Sequence, residues 1–326
     1  MPSILFIYKN QVLGEPFIEQ FIKNSYDLEI LFKDKLYYNQ FSIWQKIVNI
    51  FYRNVLKNNS YPITANHANF EKYCKRSLKQ LGNDHFDYCV VIRGDLVPEF
   101  VLKKARKISD KMVDFQLDGI SVSKKILSYR NYFDEIFVFD KNDIKDNPGY
   151  HLKFITNCFF GKDNTDYMAE YDFFYIGQYL ADRHQKITNL FTYLDENTIK
   201  TNPLIYLNTD RSYVNTDSRI KNLIDGTSYQ ENLDMVKKSS ILIDLKRDEH
   251  SGLSLRFFEA LKYRKKMITN NPTVKEYDFY HPDNIFVTDF NNFDRLSDFL
   301  TKPYRPIDHE ITDQYEFENW IKKLLV

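Results

Sequence analysis

The stretch that decides the fold is SILIDLKRDEHSGLSLRFFEALKYRKKMITNN, residues 240–271. It opens on an apolar run, SILIDL, short enough for a buried strand, and passes through the polar loop KRDEHSG. It then enters LSLRFFEALKY, which reads as an amphipathic helix, and closes on KKMITN, a second strand. A strand, a crossover helix and another strand imply parallel pairing, because parallel neighbours need a connection of this length.

The same alternation runs outward on both sides. Before the stretch come the strand DFFYIG, the helix ADRHQKITNLFTYL, the strand PLIYLN and the helix YQENLDMVKKS; after it come the strand NIFVTD and the helix FDRLSDFLTK. Nearer the start, SILFIY, LEILF, DYCVVI, KMVDFQ and EIFVFD read as strands. GEPFIEQFIKN, FSIWQKIVNIFYRNVL, ANFEKYCKRSLKQL, VPEFVLKKARK and VSKKILSYRNY read as the helices between them. Strands alternating with helices give a parallel sheet covered on both faces. The periodicity lapses in FFGKDNTDYMAEYD, residues 159–172, as a domain connection does. The expectation is an α/β protein of two Rossmann-like domains facing a cleft, one over residues 1–160 and one over 161–310. Residues 311–326 hold a terminal amphipathic helix that folds back over the first domain.

Composition narrows the function. Among 326 residues, Lys plus Arg and Asp plus Glu both number 45, so no global field recruits nucleic acid. Cys74, Cys89 and Cys158 lack the spacing of a disulfide framework or a zinc site, which fits a reducing cytoplasm. MPSILFIYKN does not read as a signal peptide, and no apolar run reaches the length of a membrane span. Neither Gly-x-Gly-x-x-Gly nor a Walker loop occurs, and the Asp-x-Asp pair that would hold a metal is missing, so no cofactor or metal is expected.

In an open α/β sheet a ligand sits beyond the carboxyl ends of the strands, where loops enter helix N-termini. KRDEHSG is such a loop. The following helix start offers free N–H groups and a positive dipole end to a diphosphate, with Lys246, Arg247 and Arg256 nearby. Glu259, three residues past Arg256, would stand near the ribose of a nucleotide. The plain alternative is a solvated helix glutamate paired with Arg256 or Lys262. An inverting transfer would also need a base on the first domain. Asp118, after KMVDFQ, and Asp95, after DYCVVI, are the candidates, with turn or cap aspartates as the alternative. FSIWQKIVNIFYRNVLKN, residues 41–58, puts Trp44, Ile47, Val48, Phe51 and Val55 on one side; it would lie on a membrane or pack against its own domain.

GLSLRFFEALKYRKKMITNN, with YQENLDMVKKSSILIDL before it and NIFVTD after it, resembles the donor-binding half of GT-B glycosyltransferases. It is similar in particular to the CgeB-like proteins and the bacterial lipopolysaccharide and capsule enzymes. DYCVVIRGDLVP, YFDEIFVFDKNDIK and YDFFYIGQYLADR extend the resemblance, which covers roughly residues 85–290. It implies a glycosyltransferase that moves a sugar from a nucleotide-sugar donor to a hydroxyl of a bacterial surface glycan, and the missing Asp-x-Asp pair makes the expected mechanism metal-independent. The acceptor would be a glycan or lipid-linked glycan, and the protein cytoplasmic, at most peripheral at the inner face of the plasma membrane. By the same resemblance Glu259 would hold the ribose, Arg256 and the loop Ser251, Gly252, Leu253 and Ser254 would meet the diphosphate, and Gly177 would let the backbone approach the donor. Arg183 would lie near the cleft, and, apart from the resemblance, Lys246 would add charge at the loop and Glu249 or His250 would reach toward the sugar. Many retaining GT-B enzymes carry an acidic residue where Ser251 stands, so the stereochemical outcome stays open. A non-catalytic GT-B-like module binding nucleotide or glycan, and a nucleotide-sugar epimerase, are the rival readings.

Overall fold

A computed structural model describes residues 2–9, 11–32, 41–57, 60–81, 84–163, 165–209, 217–223 and 226–326, without the side chains of Gln11 and Val12; Asn58 of the sequence-predicted helix lies outside this set. The chain forms two compact units. One comprises Met1–Val138, Asp146–Lys153 and Leu325, and the other Phe139–Lys145, Phe154–Leu324 and Val326.

The first sheet contains β1 (Ser3–Tyr8), β2 (Asp27–Ile30), β3 (Phe86–Ile92), β4 (Ser109–Gln116), β5 (Glu135–Val138) and β6 (Lys153–Phe154) in the order β2-β1-β3-β4-β5-β6. The pairs from β2 through β5 are parallel. The strand order reverses between β1 and β3, beyond Tyr8 and Ile92, the position where open α/β sheets generally bind ligands.

The second sheet contains β7 (Tyr171–Gln178), β8 (Pro203–Asn208), β9 (Ile220–Leu223), β10 (Ser239–Asp244), β11 (Lys266–Thr269) and β12 (Ile285–Val287) in the order β12-β11-β10-β7-β8-β9. All five pairs are parallel. Counted from β7, this is the Rossmann order 6-5-4-1-2-3, with its reversal between β7 and β10. Alternate residues of β7 feed opposite cores. Phe174 packs with Leu242, Phe257, Phe258 and Tyr315 on one face; Phe173 and Tyr175 pack with Ile187, Leu190 and Ile243 on the other. Burial on both faces is why these strands read as continuous apolar runs.

Two elements differ from the sequence reading. VSKKILSYRNY is not one helix but the single turns Ile120–Ser123 and Lys125–Ser128 and a 3-10 turn at Arg130–Tyr132. Ser123 Oγ donates to Gly119 O at 2.9 Å and Ser128 Oγ to Lys125 O at 2.7 Å, and such serine back-bonding competes with a regular helix. β9 is a short edge strand, IKNL, with only Ile220 buried, so its hydrophobic signal is too faint to read.

Candidate functional site

The stretch quoted first becomes β10, a loop over residues 245–254, the helix Leu255–Lys262 and β11. The loop is fixed from several sides. Asp244, at the end of β10, accepts from Ser254 Oγ at 2.7 Å and from Thr269 Oγ1 at 3.1 Å. Asp140 accepts from the Ser251 amide, and Asn271 Nδ2 donates to Ser251 O at 3.1 Å and Gly252 O at 3.3 Å. Asn157 Nδ2 donates to Leu253 O at 2.9 Å. A Cβ on Gly252 would run into the ring and carbonyl of Phe139, so only glycine fits there.

Ser254 has the extended backbone of an N-cap, yet its hydroxyl is committed to Asp244 and gives its own helix no side-chain cap. The positive end of that helix is therefore left for another acceptor. Cationic side chains gather around the same loop, and neutral oxygens hold them. Arg183 Nη2 donates to Leu245 O at 2.9 Å, Lys246 Nζ to Arg247 O at 3.2 Å and His250 O at 3.4 Å, and Arg247 Nη2 to Gln178 Oε1 at 2.9 Å. Arg256 reaches back across the reversal point, donating to Ile243 O of β10 at 3.0 Å and Ile176 O of β7 at 2.6 Å. Its carboxylate neighbour Asp244 stands 3.9 Å away, and Tyr175 lies 5.2 Å beneath the guanidinium. The Nε atoms of Arg183 and Arg256 are buried without a partner. Gly177 is the penultimate residue of β7, and the Tyr175 phenol fills the space its Cβ would need.

Glu259 corrects one reading. It is not a solvated partner of Arg256 or Lys262 but is 5% exposed on the inner face of its helix. Its Oε1 accepts from Asn232 Nδ2 at 3.2 Å, and it also hydrogen-bonds Tyr229. Burial raises its carboxyl above the ordinary range, partly opposed by Arg256 and these two hydrogen bonds. Tyr229 and Asn232 come from the first turn of the helix Tyr229–Lys237, so the start of that helix closes over a carboxylate in the middle of the helix Leu255–Lys262.

His250 packs edge-on against Phe139 at 5.2 Å. Burial lowers its imidazole below the usual value, and Nδ1 has no partner.

The first unit carries a different cluster at its own reversal point. Arg93, just past β3, has φ 59°, a left-handed conformation uncommon for a non-glycine residue. Its guanidinium donates to both oxygens of Asp95, at 2.8 and 2.9 Å, and to Asp118 Oδ2. Asp95 is 7% exposed, whereas the Asp118 side chain is 46% exposed. Behind them Asp114 of β4 is wholly buried, accepting from Gly94 N at 2.8 Å and Gln116 Nε2 at 2.7 Å. Burial pushes its carboxyl up to about 8.

Lys246 and Ser251–Ser254 thus come together with Arg183 and Arg256 in the second unit, and Asp95 with Asp118 through Arg93 in the first. Sequence reasoning missed Arg93, Asp114, Asp140, Asp244, Tyr229, Asn232 and Asn271. Asp244 did leave a signal, the one carboxylate at the end of the apolar run of β10, and Asp114 a weaker one, an acid between the apolar Val113 and Phe115. Among the described residues no group of three His, Cys, Asp or Glu side chains is placed to hold a metal ion, and no helix is long and apolar enough to cross a membrane.

No protein-family model matches the chain. No curated protein matches it by sequence. Solved structures do match by fold. The N-terminal domain of trehalose-6-phosphate phosphatase from Candida albicans aligns with TM-score 0.56 at 11% identity, over 100% of this chain and 97% of that one. A structure named "Trehalose-6-phosphate from E. coli bound with UDP-2-fluoro glucose" aligns with TM-score 0.53 at 10% identity, over 99% and 95%. A UDP-forming α,α-trehalose-phosphate synthase from Burkholderia xenovorans aligns with TM-score 0.50 at 10% identity, over the same shares. Two Rossmann-like α/β domains and these neighbours give the chain a GT-B glycosyltransferase-like fold.

Proposed function

We infer that the protein is a glycosyltransferase of the hexosyl type that takes a nucleotide-diphosphate sugar at the carboxyl end of its second sheet. The observation that carries this reading is the loop 245–254: a rigid turn at the strand reversal, beside an uncapped helix start, ringed by Arg183, Lys246, Arg247 and Arg256 on neutral acceptors. An anion there gains charge-assisted hydrogen bonds without first breaking strong ion pairs. The likeness to a structure bound with UDP-2-fluoro glucose supports the same ligand class.

In this reading the diphosphate spans Ser251–Ser254 and the cations, and their positive charge stabilises the leaving group without a bound metal. The ribose hydroxyls reach Glu259, which requires Tyr229 or Asn232 to give way, since the carboxylate is otherwise closed over. Gly177 lies along the donor's path and His250 toward the sugar. On the first domain Asp118, the more open of the Arg93-bound carboxylates, takes the acceptor proton if the transfer inverts. The acceptor is a hydroxyl of a surface glycan such as a lipopolysaccharide or capsule intermediate, free or lipid-linked, met in the cytoplasm or at the inner face of the plasma membrane.

The test is a thermal-shift screen with UDP, GDP, CMP, dTDP and ADP and their sugars. Ligand at a hundredfold excess over Kd stabilises by about 2.7 kcal/mol, an easily read shift. A shift with one nucleotide family, followed by turnover of its sugar that survives EDTA, is the expected result. Absence of any shift overturns the donor reading. Binding without hydrolysis or transfer identifies a non-catalytic module, and an isomerised donor as sole product identifies an epimerase.

A further inference from the structure

The helix Ile43–Asn54 is built without a core. None of its residues is buried, and its start is specified locally by a capping box, with Ser42 Oγ accepting from Gln45 N and Gln45 Oε1 accepting from Ser42 N. Its attachment to the helix Tyr61–Gln80 is largely polar and aromatic: Gln45 and Asn69 exchange hydrogen bonds at 2.8 and 3.2 Å, and Tyr52 meets Tyr61 at 5.1 Å. The apolar side faces solvent. Ile43, Trp44, Ile47, Ile50, Phe51 and Val55 are 50–78% exposed. Single exposed apolar residues are ordinary, but a contiguous amphipathic stripe marks an interaction surface.

Charge selects the occupant. From Lys35 to Phe70 the sequence contains no Asp or Glu, in a chain whose acids and bases balance over its whole length. Lys46, Arg53 and Lys57 are exposed on and just beyond this helix. A second copy would set these cations against their own images. A 12-residue helix spans only about 18 Å, too short to cross a bilayer but suited to lie in its surface. We propose that the helix Ile43–Asn54 is a monotopic anchor that docks on an anionic lipid bilayer, burying Trp44, Ile47 and Phe51 among the acyl chains with Lys46, Arg53 and Lys57 at the headgroups. This does not depend on the transferase reading.

The chain supplies its own reporter. It has two tryptophans; Trp320 is 1% exposed and donates from Nε1 to Thr156 O, so a change in emission on docking comes from Trp44. The full-length protein is titrated with phosphatidylcholine vesicles with or without phosphatidylglycerol, and pelleting is measured in parallel. The expected result is a blue shift and co-sedimentation with the anionic vesicles only, weakening with salt. Ile47→Glu with Phe51→Glu lowers partitioning at least about tenfold. Replacing Lys46, Arg53 and Lys57 by Gln costs about fivefold per cation. These side chains are exposed, so the variants keep the parental melting temperature; should one fail to fold, the parent's Trp44 emission decides alone. No shift with anionic vesicles, an equal shift with neutral ones, or a shift that grows with protein concentration in the absence of lipid overturns the proposal, the last by identifying a second copy as the occupant.

Discussion

Each unit places an arginine at the point where its strand order reverses, and the two are used in opposite ways. Arg93 stands in a left-handed conformation and is saturated by carboxylates, both oxygens of Asp95 and one of Asp118, with Asp114 buried behind them. Arg256 has regular helical surroundings and is met by the carbonyls of Ile243 and Ile176, with Asp244 only at 3.9 Å. A crevice whose cations rest on neutral oxygens keeps its field for an incoming anion; one whose cation is neutralised presents carboxylate instead. Two parallel sheets that each reverse their strand order beside the first strand thus carry oppositely used arginines, which in the proposed reading suit one end to a diphosphate and the other to an acceptor proton, and the difference lies in which residues follow the strands.

The comparison breaks most visibly at Asp118. Asp118→Asn is expected to lower kcat by about a hundredfold or more while leaving donor affinity near parental, the pattern of a lost transition-state contact. Near-parental kcat, or a product that retains the donor's anomeric configuration, removes Asp118 as the base. In the other crevice, Arg183→Ala with Lys246→Ala should weaken nucleotide-diphosphate binding about thirtyfold, since charge-assisted hydrogen bonds are worth about 1.5–3 kcal/mol each and some are retained by Arg247 and the helix start. Calorimetric titration of the folded variant decides it. Glu259→Gln should weaken nucleotide about tenfold with little change in melting temperature. Parental affinity should also fall as the pH drops through the raised carboxyl range, because the ionised form is the acceptor.

A further effect sharpens the comparison from the first unit alone. Asp114 titrates near 8 when folded and near 3.9 when unfolded, so between those values the folded state holds the extra proton. Its contribution to stability is complete below pH 4 and lost as pH rises toward 8, by at most about 1.4 kcal/mol per pH unit. Gln116 Oε1 is buried without a partner, so an amide flip offers Asp114→Asn an acceptor for its new N–H. The variant should fold and show a flatter fall in stability than the parent from pH 5 to 8 in urea titrations; identical pH slopes would refute the raised value.

The sequence revealed the architecture because both sheets are parallel and covered, which makes every central strand an apolar run between helical patterns. It also placed the loop 245–254 between a strand and a helix, since a polar segment between SILIDL and an amphipathic helix has to fall at a strand's carboxyl end. It did not reveal how that loop is held, because Asp140, Asn157 and Asn271 act from distant positions that only folding brings to residues 251–253. Arg93 was hidden for a different reason: a left-handed arginine leaves no periodic mark. Glu259 was legible as a singular acid in an apolar run, but its enclosure by Tyr229 and Asn232 depends on how the start of one helix packs on the middle of another.

The central claim is that the second crevice reads a diphosphate. Its most direct test is calorimetric titration of the full-length protein with the nucleoside monophosphate and diphosphate of whichever base stabilises it. The account predicts that the diphosphate binds at least about tenfold more tightly and that Arg183→Ala with Lys246→Ala abolishes this preference. Equal affinity for the two, or a preference unchanged in the variant, would contradict it.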